Sequence, residues 1–315
     1  ISGNLLLDFR NNSESLIQVD LLADFNRSAF SRLMPRNLDD SVVAFLEKTL
    51  LDVVVNEGRV SYSGPIKRRV DGRGNNLTLR LPTKSYLFKP LQKWPSFEGK
   101  IGLFELHEKR ASLELAGAEF GDLNVPKVVA YQSAVNEELI QISGQIDGEA
   151  ATAIKILEKA EAKPEEIGRD LLFSGQIQGD VRLEVPIDGS PEGYIDLSTE
   201  SLSLKFAGFD ESLQQISGKG RFILNHGFES GDLHAKFADD PISGQVRVDG
   251  TSTRVDAVGD LDVRNVLRYA SIDFPKSSVS GRSKWSGSII SADQGLSVVL
   301  RTDGVGIKSQ LRRLN

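Results

Sequence analysis

Three histidines, forty-four carboxylates and no cysteine make up the chemistry-bearing side chains of this 315-residue chain. The missing cysteine removes thiolate catalysis, disulfides and every Cys-based metal site together, and suits an oxidising compartment. His226 and His234 flank Asp232, and a hairpin between them could assemble a metal site. The spacing matches no established ligand set, and a solvent-facing strand position accounts equally well for His234. His107 stands alone. There is no Gly-x-Ser-x-Gly elbow and no phosphate-binding Walker loop. Gly72-Arg73-Gly74 and Gly218-Lys219-Gly220 lack the third glycine of a dinucleotide fingerprint and read as turns. The carboxylates fall at alternating strand positions or in loops, and Asp239-Asp240 precedes Pro241 in a turn signature. The sequence alone leaves open a carboxylate pair assembled in three dimensions, but no motif favours an enzyme. We expect no catalytic residue, no metal and no cofactor.

The elements that would position any site are strands. Apolar and polar residues alternate at Leu77–Leu81, Leu113–Leu115, Val181–Val185, Leu202–Phe206, Leu233–Phe237, Val246–Val248 and Val255–Ala257. Period two puts the apolar side chains on one face and the charged ones on the other, as in an antiparallel sheet with one wet side. Glycines recur at short intervals: Gly58, Asp147-Gly148, Gly179-Asp180, Asn225-His226-Gly227 and Asp249-Gly250 join the two glycine pairs above. They are expected to be turns between strands. A Ser-Gly step also recurs at Ser143-Gly144, Ser174-Gly175, Ser217-Gly218, Ser243-Gly244 and Ser280-Gly281, the mark of a degenerate hairpin repeat. Helical patterns are few. One covers 38–51, with Val43, Leu46 and Leu50 at helical spacing; a second covers 151–162 and stops before Pro164; a short turn covers Val263 to Ala270.

Composition narrows the partners. A net charge of −6 argues against nucleic acid, which requires a clustered basic surface; basic runs are short, as at Lys67-Arg68-Arg69 and Arg312-Arg313. No apolar run approaches the ~20 residues that span a bilayer. Ile1 is not Met and is followed at once by strand-like sequence at Leu5, Leu7 and Phe9. The chain therefore reads as one continuous, repetitive β segment, 1–315, of a longer protein, with a sub-boundary near 163–170.

The order of elements resembles a known family. Leu33-Met34-Pro35 is followed by the helix Val42 to Leu51, then Glu57-Gly58-Arg59-Val60 leads a strand to Gly64. Lys89-Pro90, Trp94-Pro95, Ile142-Ser143-Gly144, a helix with Ile154 and Leu157, and Val185-Pro186-Ile187 come next. Ile216 to Phe222 and Gly231-Asp232-Leu233 complete the series. Over most of its length the chain resembles the periplasmic middle region of the YhdP-type AsmA-like proteins, relatives of TamB. It departs from them at Lys67-Arg68-Arg69 and Thr83-Lys84-Ser85, where an aromatic-rich stretch is expected, and in the position of Tyr86.

The resemblance implies a mainly β fold: a long, curved antiparallel sheet open as a trough, with two or three short helices. It also implies anchorage to the inner membrane of a Gram-negative cell by a segment outside these residues, and transport of phospholipid towards the outer membrane. Outer-membrane or other envelope proteins are the implied protein partners. The groove would be lined by Leu77, Leu79, Leu81, Leu113, Leu115, Val181, Leu183, Val185, Leu202, Leu204, Phe206, Phe222, Leu224, Leu233, Phe237, Val246 and Val248. Burying an acyl chain is worth ~0.8 kcal/mol per CH₂, so a sixteen-carbon chain gains of order 12 kcal/mol. At ~4.8 Å per strand, some sixteen to twenty strands would extend roughly 80 to 95 Å. The alternation itself leaves a second reading open, a scaffold for outer-membrane biogenesis with the same residues closed into a core. An envelope hydrolase is a third class, and would need a concave cluster of titratable groups.

Overall fold

The structure is a computed structural model and describes residues 2–8, 16–29, 47–65, 76–89, 95–107, 110–132, 139–159, 171–186, 191–206, 212–237, 239–249, 252–262, 281–292, 295–302 and 305–311. It is mainly β, a large antiparallel sheet whose strands pair in chain order. The chain divides into two compact units, Ile1–Ile146 with Val181–Glu192, and Asp147–Asp180 with Gly193–Asn315.

The first unit holds β1 (Ser2–Asp8), β2 (Leu16–Asn26), β3 (Leu50–Pro65), β4 (Asn76–Phe88), β5 (Phe97–Gly99), β6 (Ile101–His107), β7 (Arg110–Phe120), β8 (Leu123–Gln132) and most of β9 (Leu139–Glu149). Each pairs with its sequence neighbour, and β5 and β6 share one flank of β4 either side of a bend at Lys100. The second unit begins with the helix α1 (Ala150–Lys159). β10 (Leu171–Pro186) starts in this unit and ends in the first. The second unit continues with β11 (Glu192–Phe206), β12 (Ser212–Ile223), β13 (Gly227–Ser230), β14 (Leu233–Phe237), β15 (Asp240–Asp249), β16 (Ser252–Asp262), β17 (Arg282–Ala292), β18 (Gly295–Thr302) and β19 (Val305–Leu311). Here β13 and β14 divide the flank of β12 between them, and both pair with β15.

All seven alternating segments lie in strands. The turn assignments fare less well. Asn225-His226-Gly227 does turn, but Gly58, Gly179-Asp180 and Gly218-Lys219-Gly220 are inside β3, β10 and β12. The Ser-Gly steps at 143, 174, 217 and 243 also lie inside strands. Their glycines are there for contact between strands rather than for reversal. A Cβ on Gly144, Gly175, Gly218 or Gly244 would stand 2.4–3.0 Å from a backbone carbonyl oxygen of a neighbouring strand.

Other strand glycines are covered by rings instead. Tyr86 lies over Gly99, Phe228 over Gly220 and Trp285 over Gly259, an arrangement that pins register as it fills the gap. Two residues other than glycine carry the bulges. Glu57 (φ 54°) and Gln215 (φ 52°) interrupt the ladders of β3 and β12, which shift register at these points. The Glu57 N–H donates to Asp24 Oδ1 at 2.6 Å, which ties the extra residue down and sharpens the local twist.

The helix expected over 151–162 is found at Ala150–Lys159; residues 160–162 are outside the described set. Ala150 and Ile156 are its buried positions. Of the helix expected over 38–51, residues 38–46 lie outside the described set and 47–49 are helical, whereas Leu50 and Leu51 already belong to β3. The run Val53-Val54-Val55 favours strand at χ1, and Leu50 pairs with Phe88. The turn expected over 263–270 and the boundary near 163–170 also fall outside the described residues.

Two outcomes follow. Gly244→Ala should lower stability by about 1–3 kcal/mol in urea titration, because backbone on the neighbouring strand cannot yield. Gly231→Ala, whose Cβ would meet nothing nearer than 3.7 Å, should stay within about 0.5 kcal/mol. The second outcome concerns Tyr86, whose hydroxyl donates to the Ala116 carbonyl at 3.1 Å and whose pKa burial pushes up to about 12. Its folded pKa exceeds the unfolded value of about 10. The stability this represents is therefore intact below pH ~10 and lost as pH rises towards 12. Tyr86→Phe should cost about 1 kcal/mol at neutral pH and flatten that alkaline loss in denaturation curves taken from pH 9 to 12.

Candidate functional site

Cross-strand partners point to the same face of a sheet, so the registers trace the apolar face from strand to strand. In the first unit Leu5 and Leu7 face Val19 and Ile17, and Val19 and Leu21 face Tyr62 and Val60. Val60 meets Leu79, Leu79 meets Leu106, and Leu81 meets Phe104. Phe104 then meets Leu113, and Leu115 meets Val128. Exposure falls along this path. Leu5 is 62% exposed and Leu7 45%, whereas Phe104 and Leu115 are each 1% exposed. Of the expected groove residues in this unit, Leu79, Leu81, Leu113, Leu115, Leu183 and Val185 are buried, and Leu77 and Val181 are half-buried.

In the second unit the apolar face is more open. Phe222, Phe228 and Val248 form one row, in which Phe222 and Val248 are buried, with Ile195 beside Phe222. The next rows are half-buried: Leu197 with Gly220, and Val246 with Val255. After them come Leu233, Gly244, Ala257 and Gly287 in direct register. Leu202, Leu204 and Phe237 are half-buried, and Leu224 is buried in the turn after β12. The side chain of Phe206 is outside the described set. The same face also carries Ile195, Ile216, Ile242 and Val255, which were not among the expected lining residues. Gly218 and Gly244 of the Ser-Gly steps are small positions on this face.

The opposite face is charged and internally paired. Arg221 donates to Asp196 at 2.6 and 3.0 Å. Arg221 faces Glu229 in register, and Glu229 pairs with Arg247 at 3.1 Å. Arg247 in turn faces Arg254, which chelates Asp256 from two residues along its own strand at 2.6 and 3.1 Å. The first unit repeats the device with Arg59–Asp20 at 2.7 Å, Arg80–Glu105 at 3.2 Å and Lys127–Glu114 at 2.8 Å. Hydrogen bonds from these arginines hold the Asp20 and Asp256 carboxyls below the usual range. All of these side chains are well exposed, so the pairs contribute little individually to stability. Their effect is to keep this face wet and the register unambiguous.

Among the described residues the histidines and carboxylates singled out above are not assembled. His107 is exposed, with Nδ1 3.4 Å from Thr78 Oγ1. His234 is an exposed strand residue opposite Ser243, and Asp232 accepts a hydrogen bond from Gln245 at 2.9 Å. Among the described residues no group of three or more His, Asp or Glu could hold a metal ion. The buried carboxylate Asp240 is structural. It pairs with Arg282 at 2.7 Å and accepts the Asp262 N–H at 3.1 Å, which fastens the start of β15 to the end of β16 and the start of β17. Among the described residues no helix is long and apolar enough to cross a membrane.

The sequence profile of the family described as YhdP protein matches residues 1–315. No curated protein and no solved structure matches the chain.

Proposed function

The chain belongs to the YhdP protein family, and from this we propose that it is a non-enzymatic stretch of an envelope protein whose apolar face carries phospholipid acyl chains between the inner and outer membranes of a bacterium. The observation that carries this reading is the half-open face of β11–β16, where Leu202, Leu204, Leu233, Ile242, Val246 and Val255 remain partly accessible. Contiguous apolar surface left in contact with water is unfavourable and marks a binding surface. An acyl chain laid on it keeps a share of the roughly 12 kcal/mol it would lose in water, in proportion to the area covered.

The face also suits a guest that slides. Its accessible residues are mostly aliphatic, and the small residues Gly218, Gly244, Ala257 and Gly287 recur along it. The close backbone approach at Gly218 and Gly244 fits a sheet bent towards its apolar side, as in a trough. The periplasm, with anchorage to the inner membrane outside these residues, is the compartment in which such a carrier would work.

A second reading, an assembly scaffold without cargo, is favoured by one observation: most of the apolar face of β3–β8 is buried.

Native mass spectrometry of the purified chain, with organic extraction, separates the two. Carriage is expected to give near-stoichiometric phospholipid. Val255→Asp, at a half-buried position, should abolish it while the melt stays cooperative. Leu183→Asp would not serve, because Leu183 is 5% exposed and a carboxylate there would be desolvated at a cost of several kcal/mol. Empty protein that takes up no labelled phospholipid from vesicles would leave the scaffold.

A further inference from the structure

The apolar face is continuous in register from β1 to β8, yet its accessibility is not. On β1 and β2 it is open or half-open, with Leu5 and Leu7 the extreme. It shuts at β3. Val53, Val55, Leu81, Phe104, Leu106 and Leu115 are the largest fully buried side chains, all below 2% exposure. A void wide enough for one water molecule beside them would raise those values, and an acyl chain is wider than water. These six positions are therefore closely packed on all sides.

A local distortion accompanies the closure. Among the buried residues of β3 the ladder with β4 changes register at three places, and Glu57 forms a bulge with positive φ. Bulges bend the strand and increase its twist. At the bulge a Cβ on Gly58 would meet Phe25 and Val55 at 2.8 Å and Leu81 at 3.1 Å, so three strands already crowd this point. Phe97 and Phe120, with ring centroids 5.8 Å apart, and Tyr86 over Gly99 fill the region beyond.

We propose that β3–β8 form a closed section of the apolar face, which acyl chains do not enter in this conformation and which must open before any lipid can pass along the first unit. This rests on the carrier reading above and adds a control point to it. Occupancy at rest is then confined to faces that are already open, such as that of β11–β16.

The test uses the full chain mixed with vesicles of phosphatidylethanolamine and phosphatidylglycerol. A photo-activatable benzophenone side chain is placed at position 104, 115, 246 or 255. Lipid adducts are expected at 246 and 255 and at least ten-fold fewer at 104 and 115. Because a bulky probe at 104 could itself disturb packing, amide hydrogen exchange of the unsubstituted protein provides a second readout. Lipid should slow exchange in β11–β16 at least ten-fold and leave β3–β8 unchanged. Adducts at 104 and 115 as abundant as at 246 and 255, or equal protection of β3–β8, would overturn the closed section while the carrier reading stands. Absence of adducts and of extractable lipid throughout would overturn both.

Discussion

Every feature of this molecule depends on register. With a side-chain period of two, a slip of one residue in any strand would carry its leucines and valines to the charged face and its arginines and aspartates to the apolar one. The long meander multiplies that risk, because each strand takes its register from the last. Several devices hold it. The charged face is laced by cross-strand pairs such as Asp196–Arg221 and Arg80–Glu105. These are individually weak, but a slipped strand would break them together. Several successive strands are joined by only two residues, as between β7 and β8 and between β15 and β16. Glycines at fixed points let neighbouring backbones approach where a side chain would not fit.

The same constraint explains how one pattern can make both a core and a groove. Leu115 and Leu204 occupy equivalent alternating positions in their strands, yet the first is almost wholly buried and the second half-buried. Ladder regularity does not separate them, because Leu115 lies in ladders without register shifts and Leu204 beside two such shifts. Val53, Val55 and Leu81 are fully buried beside the broken β3–β4 ladder, and Val246 and Val255 are half-buried in the regular ladder between β15 and β16. Aliphatic surface of one composition can therefore be filled by its own side chains in one place and left for a guest in another.

This also fixes what the sequence could reveal. Alternation located the strands and their two faces, since it depends only on neighbouring residues. The glycines misled at 58, 179, 218 and 220, because glycine serves a turn and a close strand contact equally well and its neighbours do not distinguish them. The bulges at Glu57 and Gln215 had no signature, since neither residue favours positive φ. Whether Leu79 or Val246 would be covered was not legible either, because burial depends on strands far away in the chain. Asp239-Asp240 illustrates the limit: the turn was readable, but the ion pair to Arg282 was not, with about forty residues between the partners.

The most direct test of a partly closed, partly open apolar face exploits the absence of native cysteine. Single cysteines at Val246, Val255, Leu79 and Phe104 would be timed for maleimide labelling in folded protein, with and without phospholipid vesicles. The account requires Val246→Cys and Val255→Cys to react readily and to slow markedly when lipid is added, while Leu79→Cys and Phe104→Cys stay slow in both conditions. Slow labelling at all four sites, unaffected by lipid, would contradict it and mark the whole apolar face as an ordinary core.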